Sequence, residues 1–343
     1  MVTQVPAHRA DGGRLRGPVR RNPALSVILA LVVLLGSGVG GWVLYLNSQL
    51  SGVPRFDVDL ERPGRPVALA AAGTSTNILL AGVDDGLGTH LRDALAADDW
   101  PKGVFRSDTI MVLHLSGDPT EAQLISIPRD SYVPVKGYGR TKINAAFSYG
   151  GPSLLARTVE DLTDLRIDHV AVVDLDGFRK ISEAMGGVTV QVPGTGPETL
   201  VGDAALEYVR ERESLPDGDF DRIQRQQNFL RAVLIKTASS GTVSSPIAFA
   251  RLVNTITSHL AVDATFTNSV IRSLALDSRG LEPRHIRFVT APVRGTATIH
   301  GASVVRLDEA AVHQMFAAVA RGQFETWYAN NPVEELPRPS AVN

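Results

Sequence analysis

The sequence contains no cysteine. Disulfides and thiolate metal sites are excluded, and the composition suits an exported domain that avoids oxidation chemistry. Nor is there an excess of either charge. Thirty-four Lys and Arg stand against 36 Asp and Glu, a net charge of −2, and the pI is near 6.5. No global basic field is available to recruit nucleic acid. An internal repeat is also missing. What is present, over 343 residues, is 44% hydrophobic and 20% charged. That is an ordinary globular composition with something apolar added, enough for one large domain or two modest ones.

The apolar addition is residues 24–46, ALSVILALVVLLGSGVGGWVLYL, 23 residues without a charge. At ~1.5 Å per residue a helix of this length crosses the ~30 Å hydrocarbon core with slack for tilt. Arg9, Arg14, Arg16, Arg20 and Arg21 precede it against a single acid, Asp11, so residues 1–23 are expected in the cytoplasm. Trp42 and Tyr45 fall at the far end, where amphipathic rings prefer the interface. The run is longer than a signal-peptide core and lacks a lipobox cysteine, which favours an uncleaved anchor over a cleaved leader. Everything beyond about residue 47 is then expected outside the cytoplasmic membrane.

Residues 47–75 hold three prolines and no sustained periodicity, and read as a stalk with a short edge strand. Residues 76–324 alternate strand-like and helix-like segments, which predicts an α/β domain. Strands are predicted at 77–83, 109–115, 122–127 and 169–175. The turn chemistry of SGDPTE (116–121) joins the second and third as an antiparallel pair. Helices are predicted at 152–165, 176–185, 202–208 and 220–238. IRFVTAPV and SVVRL read as strands, and 308–320 as a closing helix. Residues 325–343 are polar and proline-rich, and are expected to fray.

Asp84 ends the first strand, Asp108 begins the second and Arg129 follows the third. If the strands alternate in direction, all three meet at one sheet edge. Paired carboxylates repel unless neutralised, and hard oxygen ligands without cysteine or paired histidines point to Mg²⁺ or Mn²⁺. Taken singly, an aspartate at a strand end is commonly a turn or cap residue. The densest polar stretch, YVRERESLPDGDFDRIQRQQ (208–227), places Arg222, Arg225 and Gln226 on one helical face. Arg210 and Arg212 share a face only if the chain is extended. Interleaved acids make a solvated, salt-bridged surface the plain alternative. Arginine at each of these positions suits bidentate phosphate contacts, and arginines facing aspartates with a metal would clamp a pyrophosphate. Lys142 is a weaker phosphate donor candidate and Asp130 a weaker proton acceptor. His114, inside a strand, reads as a core histidine, and a serine triad has no support.

The ordered segments TNILLAGVD, FRSDTIMVLHL, LISIPRDSYVPV, KINAAFSYGG, EYVRER and DFDRIQRQQ resemble the LytR-CpsA-Psr family, in its actinobacterial form, over about residues 74–325. The resemblance implies a three-layer α-β-α domain with a central mixed sheet behind a single transmembrane helix. It implies transfer of a glycopolymer from a polyprenyl-pyrophosphate carrier to peptidoglycan with Mg²⁺, arabinogalactan being one natural cargo. By motif, Asp84 and Asp108 resemble the metal-associated aspartates and Arg129 the catalytic arginine. Arg106, Arg210, Arg212, Arg222 and Gln226 resemble pyrophosphate contacts, with Arg225 added by proximity. Gly86 stands where the family has an arginine two residues after the first aspartate. A hydrolase of the same lipid-linked glycan and a non-catalytic carrier-lipid scaffold are the alternatives. The membrane, a lipid-linked donor and a peptidoglycan acceptor are the expected partners, and nucleic acid is not.

Overall fold

Apolar runs bounded by turn residues become the centre of one sheet. The computed structural model describes residues 47–67, 75–83, 89–97, 99–192, 195–239 and 245–342. The expected basic segment 1–23, the expected span 24–46, Asp84 and Gly86 lie outside the described residues. Among those described, no helix is long and apolar enough to cross a membrane.

In chain order the strands are β1 (Arg55–Phe56), β2 (Thr76–Val83), β3 (Ser107–Leu115), β4 (Ala122–Ser126), β5 (Tyr132–Val135), β6 (Gly139–Lys142), β7 (His169–Asp174), β8 (Val188–Val192), β9 (Gly196–Leu200), β10 (Leu260–Asp263), β11 (Ile286–Thr290), β12 (Val293–Ile299) and β13 (Ala302–Leu307). The helices are α1 (Thr89–Ala96), α2 (Asn144–Thr163), α3 (Asp176–Ala184), α4 (Asp203–Arg210), α5 (Asp219–Ser239), α6 (Pro246–Ser258), α7 (Asn268–Asp277), α8 (Glu309–Ala320) and α9 (Phe324–Tyr328). The main sheet runs β1-β10-β7-β2-β3-β4-β11, and β5-β6, β8-β9 and β12-β13 form separate hairpins. β3 pairs antiparallel with β2 and with β4, whereas β7 lies parallel to β2 and β11 parallel to β4. The sheet is mixed, as expected.

Alternation along β2 shows why both sheet faces are covered. Leu79, Ala81 and Val83 enter the largest core cluster with Leu155, Val159 and Phe147 of α2 and with Val312 and Phe316 of α8. Ile78 and Leu80 face the other side, against Val270 and Ile271 of α7. A third cluster joins Phe178 of α3, Val209 of α4 and Phe229 of α5. The apolar faces read from the sequence thus fill cores. α2 begins earlier than predicted because it is two helices across a kink at Gly150 and Gly151, with Pro152 opening the second. Gly151 sits at φ +62, and a Cβ there would meet the Trp100 ring at 2.8 Å. Only glycine tolerates both conditions.

Two expectations are corrected. Residues 47–67 carry the expected short edge strand but do not form a stalk. β1 pairs with β10 at the sheet edge, Phe56 and Leu60 are buried, and Arg62 and Arg65 both clamp the fully buried carboxylate of Glu160 on α2. A buried anion with two cations is tolerated where a single ion would not be. The C-terminal stretch does not fray. α9 packs on the core through Phe324, Leu336 donates its N–H to the Phe288 carbonyl at 2.8 Å, and Val342 is buried. Polar composition hid these attachments, since each rests on a few apolar residues. The strand expected through 286–293 is divided, β11 ending at Thr290 and β12 starting at Val293 in a different sheet.

His114 of β3 is a core histidine, its Nδ1 2.6 Å from Asn77 Oδ1. Burial pushes its pKa down from 6.5 to about 4. The unfolded chain therefore takes up a proton near pH 6.5 that the folded chain refuses until about pH 4. Stability should be fully present above pH 6.5 and fall as pH drops through this window, by roughly 3 kcal/mol in all. Urea unfolding at pH 7 and pH 4.5 should show a smaller difference in His114→Gln than in the parent; an equal difference would contradict the assignment.

Candidate active site

The register of β2, β3 and β4 delivers the start of β3 and the end of β4 to one edge, and there Arg129 Nη1 pairs with Asp108 Oδ1. The antiparallel arrangement expected from the turn thus brings the two together. The N-terminus of α5 closes on the same edge. Asp219 Oδ1 lies 3.2 Å from Arg129 Nη2 and 2.9 Å from Arg222 Nη2, and Arg222 also donates to the Asp108 carbonyl at 3.3 Å. Two guanidinium groups and two carboxylates alternate, and the group is close to neutral overall.

Burial works against the charge on Arg129, but the Asp219 and Asp108 carboxylates outweigh it and hold its pKa above the ordinary value. For Arg222 burial wins over Asp219, aided by the like charge of Arg129, and its pKa is lowered. Both stay protonated, since guanidinium does not lose its proton in proteins. Both Asp219 carboxylate oxygens and the Nε atoms of Arg129 and Arg222 are buried without a well-directed hydrogen bond. The group is held by charge at short range, and hydrogen-bonding capacity within it is unspent.

This edge opens into a cleft of about 780 Å³ lined by Arg106, Asp108, Arg129, Asp130, Lys142 and Arg212, among others. Arg106 and Arg212 are exposed there, so the cationic floor extends past the buried pair. Lys142 Nζ lies 3.0 Å from Asp130 Oδ1. The opposite wall is uncharged: Ile299, Ala302 and Val304 of the β12–β13 hairpin, with His300 at its tip. His300 stands at φ +50, a conformation L-residues rarely adopt. The hairpin is fixed to the same strand edge, because Val305 N–H donates to the Asp130 carbonyl at 2.9 Å.

Other predicted residues fall elsewhere. Gln226 is buried, its amide accepting from Thr109 Oγ1 at 3.0 Å and donating to the Val209 carbonyl at 3.2 Å. It braces α5 against β3 and α4. Arg225 lies over the Tyr208 ring at 4.8 Å, a cation–π contact away from the cleft lining. Arg210 lines a separate hollow with Glu207, Glu211 and Glu213, so only Arg212 of the YVRER pair reaches the cleft. Asp219 was legible only as one of the interleaved acids. Its spacing of three before Arg222, in the first turn of a helix, was the available signal.

The donor set at the edge suits a hard cation. Asp108 offers a carboxylate whose second oxygen takes no hydrogen bond among the described residues, and the hard oxygens of Asp108 and Asp219, in a chain without thiolates, fit Mg²⁺ or Mn²⁺. A second carboxylate group, Asp174, Asp176 and His259, comes within 4.8 Å. There Arg179 already holds Asp176 at 2.6 and 2.9 Å, and His259 lies 3.3 Å from Asp174. The His259 contact ties the end of α6 to the end of β7, and the Arg179 contact lies within α3.

A mixed-sheet α/β domain carrying an arginine–aspartate cleft at one strand edge is the class these observations define. The model of the LytR_cpsA_psr family matches residues 55–321, and the chain belongs to that family. It is 34% identical over 344 residues to the Corynebacterium glutamicum "Probable cell wall biosynthesis protein LcpB", covering 92% of this chain and 76% of that one. It is 27% identical over 308 residues to the Bacillus subtilis "Polyisoprenyl-teichoic acid--peptidoglycan teichoic acid transferase TagU", covering 85% and 94%. The solved structure described as "TagT bound to LIIa-WTA" shares the fold, with a TM-score of 0.56 at 22% identity over 78% of this chain and 100% of that one.

Removing Asp219 should leave Arg129 and Arg222 facing each other in a buried setting. Asp219→Ala is expected to cost roughly 2–4 kcal/mol of stability, and Asp219→Asn to cost stability in the same direction. Denaturant unfolding at neutral pH measures both; parental midpoints would show that the carboxylate does not hold the pair together.

Proposed function

We propose that the chain is a phosphotransferase that moves a glycopolymer from a polyprenyl-pyrophosphate carrier to peptidoglycan, at the outer face of the cytoplasmic membrane. The observation that carries this reading is the Arg129–Asp108–Asp219–Arg222 group at the floor of a cleft to which Arg106 and Arg212 add exposed cations. A pyrophosphate is the ligand whose charge and forked oxygens match such a floor. The names of the LcpB and TagU relatives, cell-wall biosynthesis and transfer of a teichoic acid to peptidoglycan, support the same class of reaction. The uncharged run at 24–46 supports anchorage in the membrane that carries the donor lipid.

In the proposed reaction, a peptidoglycan hydroxyl oxygen bonds to the sugar-linked phosphorus. The bond from that phosphorus to the bridging oxygen breaks, and polyprenyl phosphate leaves. Arg129 supplies fixed positive charge to the phosphoryl oxygens as charge builds on them, acting electrostatically because guanidinium is a poor base. Arg106, Arg212 and Arg222 hold the diphosphate in place, so much of the acceleration comes from positioning. The hydroxyl proton passes to the Asp130 carboxylate, which Lys142 orients at 3.0 Å. Asp108 and Asp219, with Asp84, which follows β2 in the sequence, are the proposed holders of Mg²⁺, which would supply charge neutralisation at the diphosphate when bound. The alanine-, arginine- and valine-rich composition suits a high-GC actinobacterium, in which arabinogalactan is a natural cargo, and other wall polysaccharides fit the same site.

Arg129→Ala, incubated with a glycan-labelled lipid-pyrophosphate donor and wall acceptor, should lose on the order of 10²–10³ in rate, the effect of removing one charge-stabilising donor. An unchanged rate would remove Arg129 from the mechanism. With the parent chain, label joined to peptidoglycan supports transfer. Label released into solution would show a hydrolase, and donor binding without turnover a scaffold.

A further inference from the structure

The cleft does not end at the hairpin wall. A second hollow of about 330 Å³ shares Tyr132, Arg140 and Ile299 with it and continues to Arg294, Arg306 and Glu309. The two form one groove running from Arg129 past Tyr132 to the outer side of the β12–β13 hairpin.

The far end of this groove is built around a backbone irregularity. β12 and β13 pair in register from Ile299 to Gly295, which lies opposite Arg306, and the register then shifts so that Val293 pairs with Leu307. Arg294 is therefore the extra residue of a β-bulge, set beside Arg306 on the neighbouring strand. A bulge re-aims a side chain at a local cost in pairing. Gly295, at φ +138, permits it, and without a side chain it leaves the space opposite Arg306 open. Like charges this close on one hairpin are unfavourable, and their partners are unequal. Arg294 pairs with Asp308 at 3.2 Å and Arg140 with Glu309 at 2.6 Å. Arg306 is exposed and makes no ion pair among the described residues. The groove thus ends on three guanidinium groups against two carboxylates, with a forked cation open to a ligand.

Resting on the reaction proposed above, we infer that Arg306 and Arg294 form a carboxylate-binding subsite that takes the peptide stem of the peptidoglycan acceptor. Carboxylate is the ligand class because guanidinium binds it bidentately, and the stem peptide carries free carboxylates a short distance from the sugar hydroxyl that reacts. Ile299 lines both hollows, and Ala302 and Val304 line the one that holds Arg129, an aliphatic surface along which a neutral sugar would pass. Donor and acceptor then enter the groove from opposite ends. The diphosphate sits at the arginine–aspartate floor, and the acceptor's anionic tail is held beyond the hairpin.

The test uses the full chain in detergent and a soluble muropeptide with free stem carboxylates. The fully amidated muropeptide is the control, and binding is read by titration calorimetry without donor. The carboxylate form should bind about tenfold more tightly than the amidated form. Arg306→Gln, a change at an exposed position, should abolish most of that difference while leaving affinity for inorganic pyrophosphate unchanged. Equal affinity for the two muropeptides, or a difference that survives Arg306→Gln, overturns the inference. A peptide-free, phosphate-bearing glycan fragment is the third arm: binding at Arg306 tighter than the muropeptide's would assign the subsite to the donor and overturn it too. Because the readout is binding, absence of transfer by the parent chain would count against the proposed reaction and leave this result interpretable by itself.

Discussion

The strand edge depends on one constraint: two arginines can be largely withdrawn from water there only because two carboxylates are withdrawn with them. A lone ion in such a place costs several kcal/mol, and the alternation Asp108–Arg129–Asp219–Arg222 removes that cost locally. Its members come from β3, from the segment after β4 and from the first turn of α5, so the charges can pair only when three separate parts of the chain have docked. Directional bonds fix that docking. Gln226 ties α5 to Thr109 and Val209, and Gln227 ties it to Ser126 and to the Val289 carbonyl. The arginines are placed by groups that never enter the cleft, and the site is rigid because its supports are buried amides rather than long charged side chains.

The same division explains what could be read from the sequence. Asp108 and Arg129 were legible because a tight turn fixes strand direction, and direction alone decides which ends share an edge. The meeting of Asp108 and Arg129 needed no knowledge of the wider fold. Gln226 and Arg225 were misleading because helical spacing tells which residues share a face but not what that face meets. The face carrying Arg222 turns inward within one turn, so Arg222 reaches the edge while Gln226, four residues on, is already a core strut. Asp219 was visible as an acid and invisible as a bridge for the same reason. The docking of residues 47–67 and of the C-terminal stretch was hidden by composition. Phe56, Leu60, Leu336 and Val342 are too few and too scattered to make a period, yet each closes a specific gap.

The groove has a polarity that neither of its ends shows alone. Its floor is cationic and partly buried, its middle wall is aliphatic, and its outer end is cationic and exposed. The hairpin joins these zones because one hydrogen bond, from Val305 to the Asp130 carbonyl, ties it to the backbone that carries Arg129. Any shift of the hairpin is felt one residue from Arg129.

The clamp of Arg62 and Arg65 on Glu160 has a mechanical meaning. With β1 zipped to β10, residues 47–67 are part of the body that carries the cleft rather than a tether outside it. A pull on the chain at Asn47 would be borne by the sheet edge and by a buried ion pair before it could lengthen the segment.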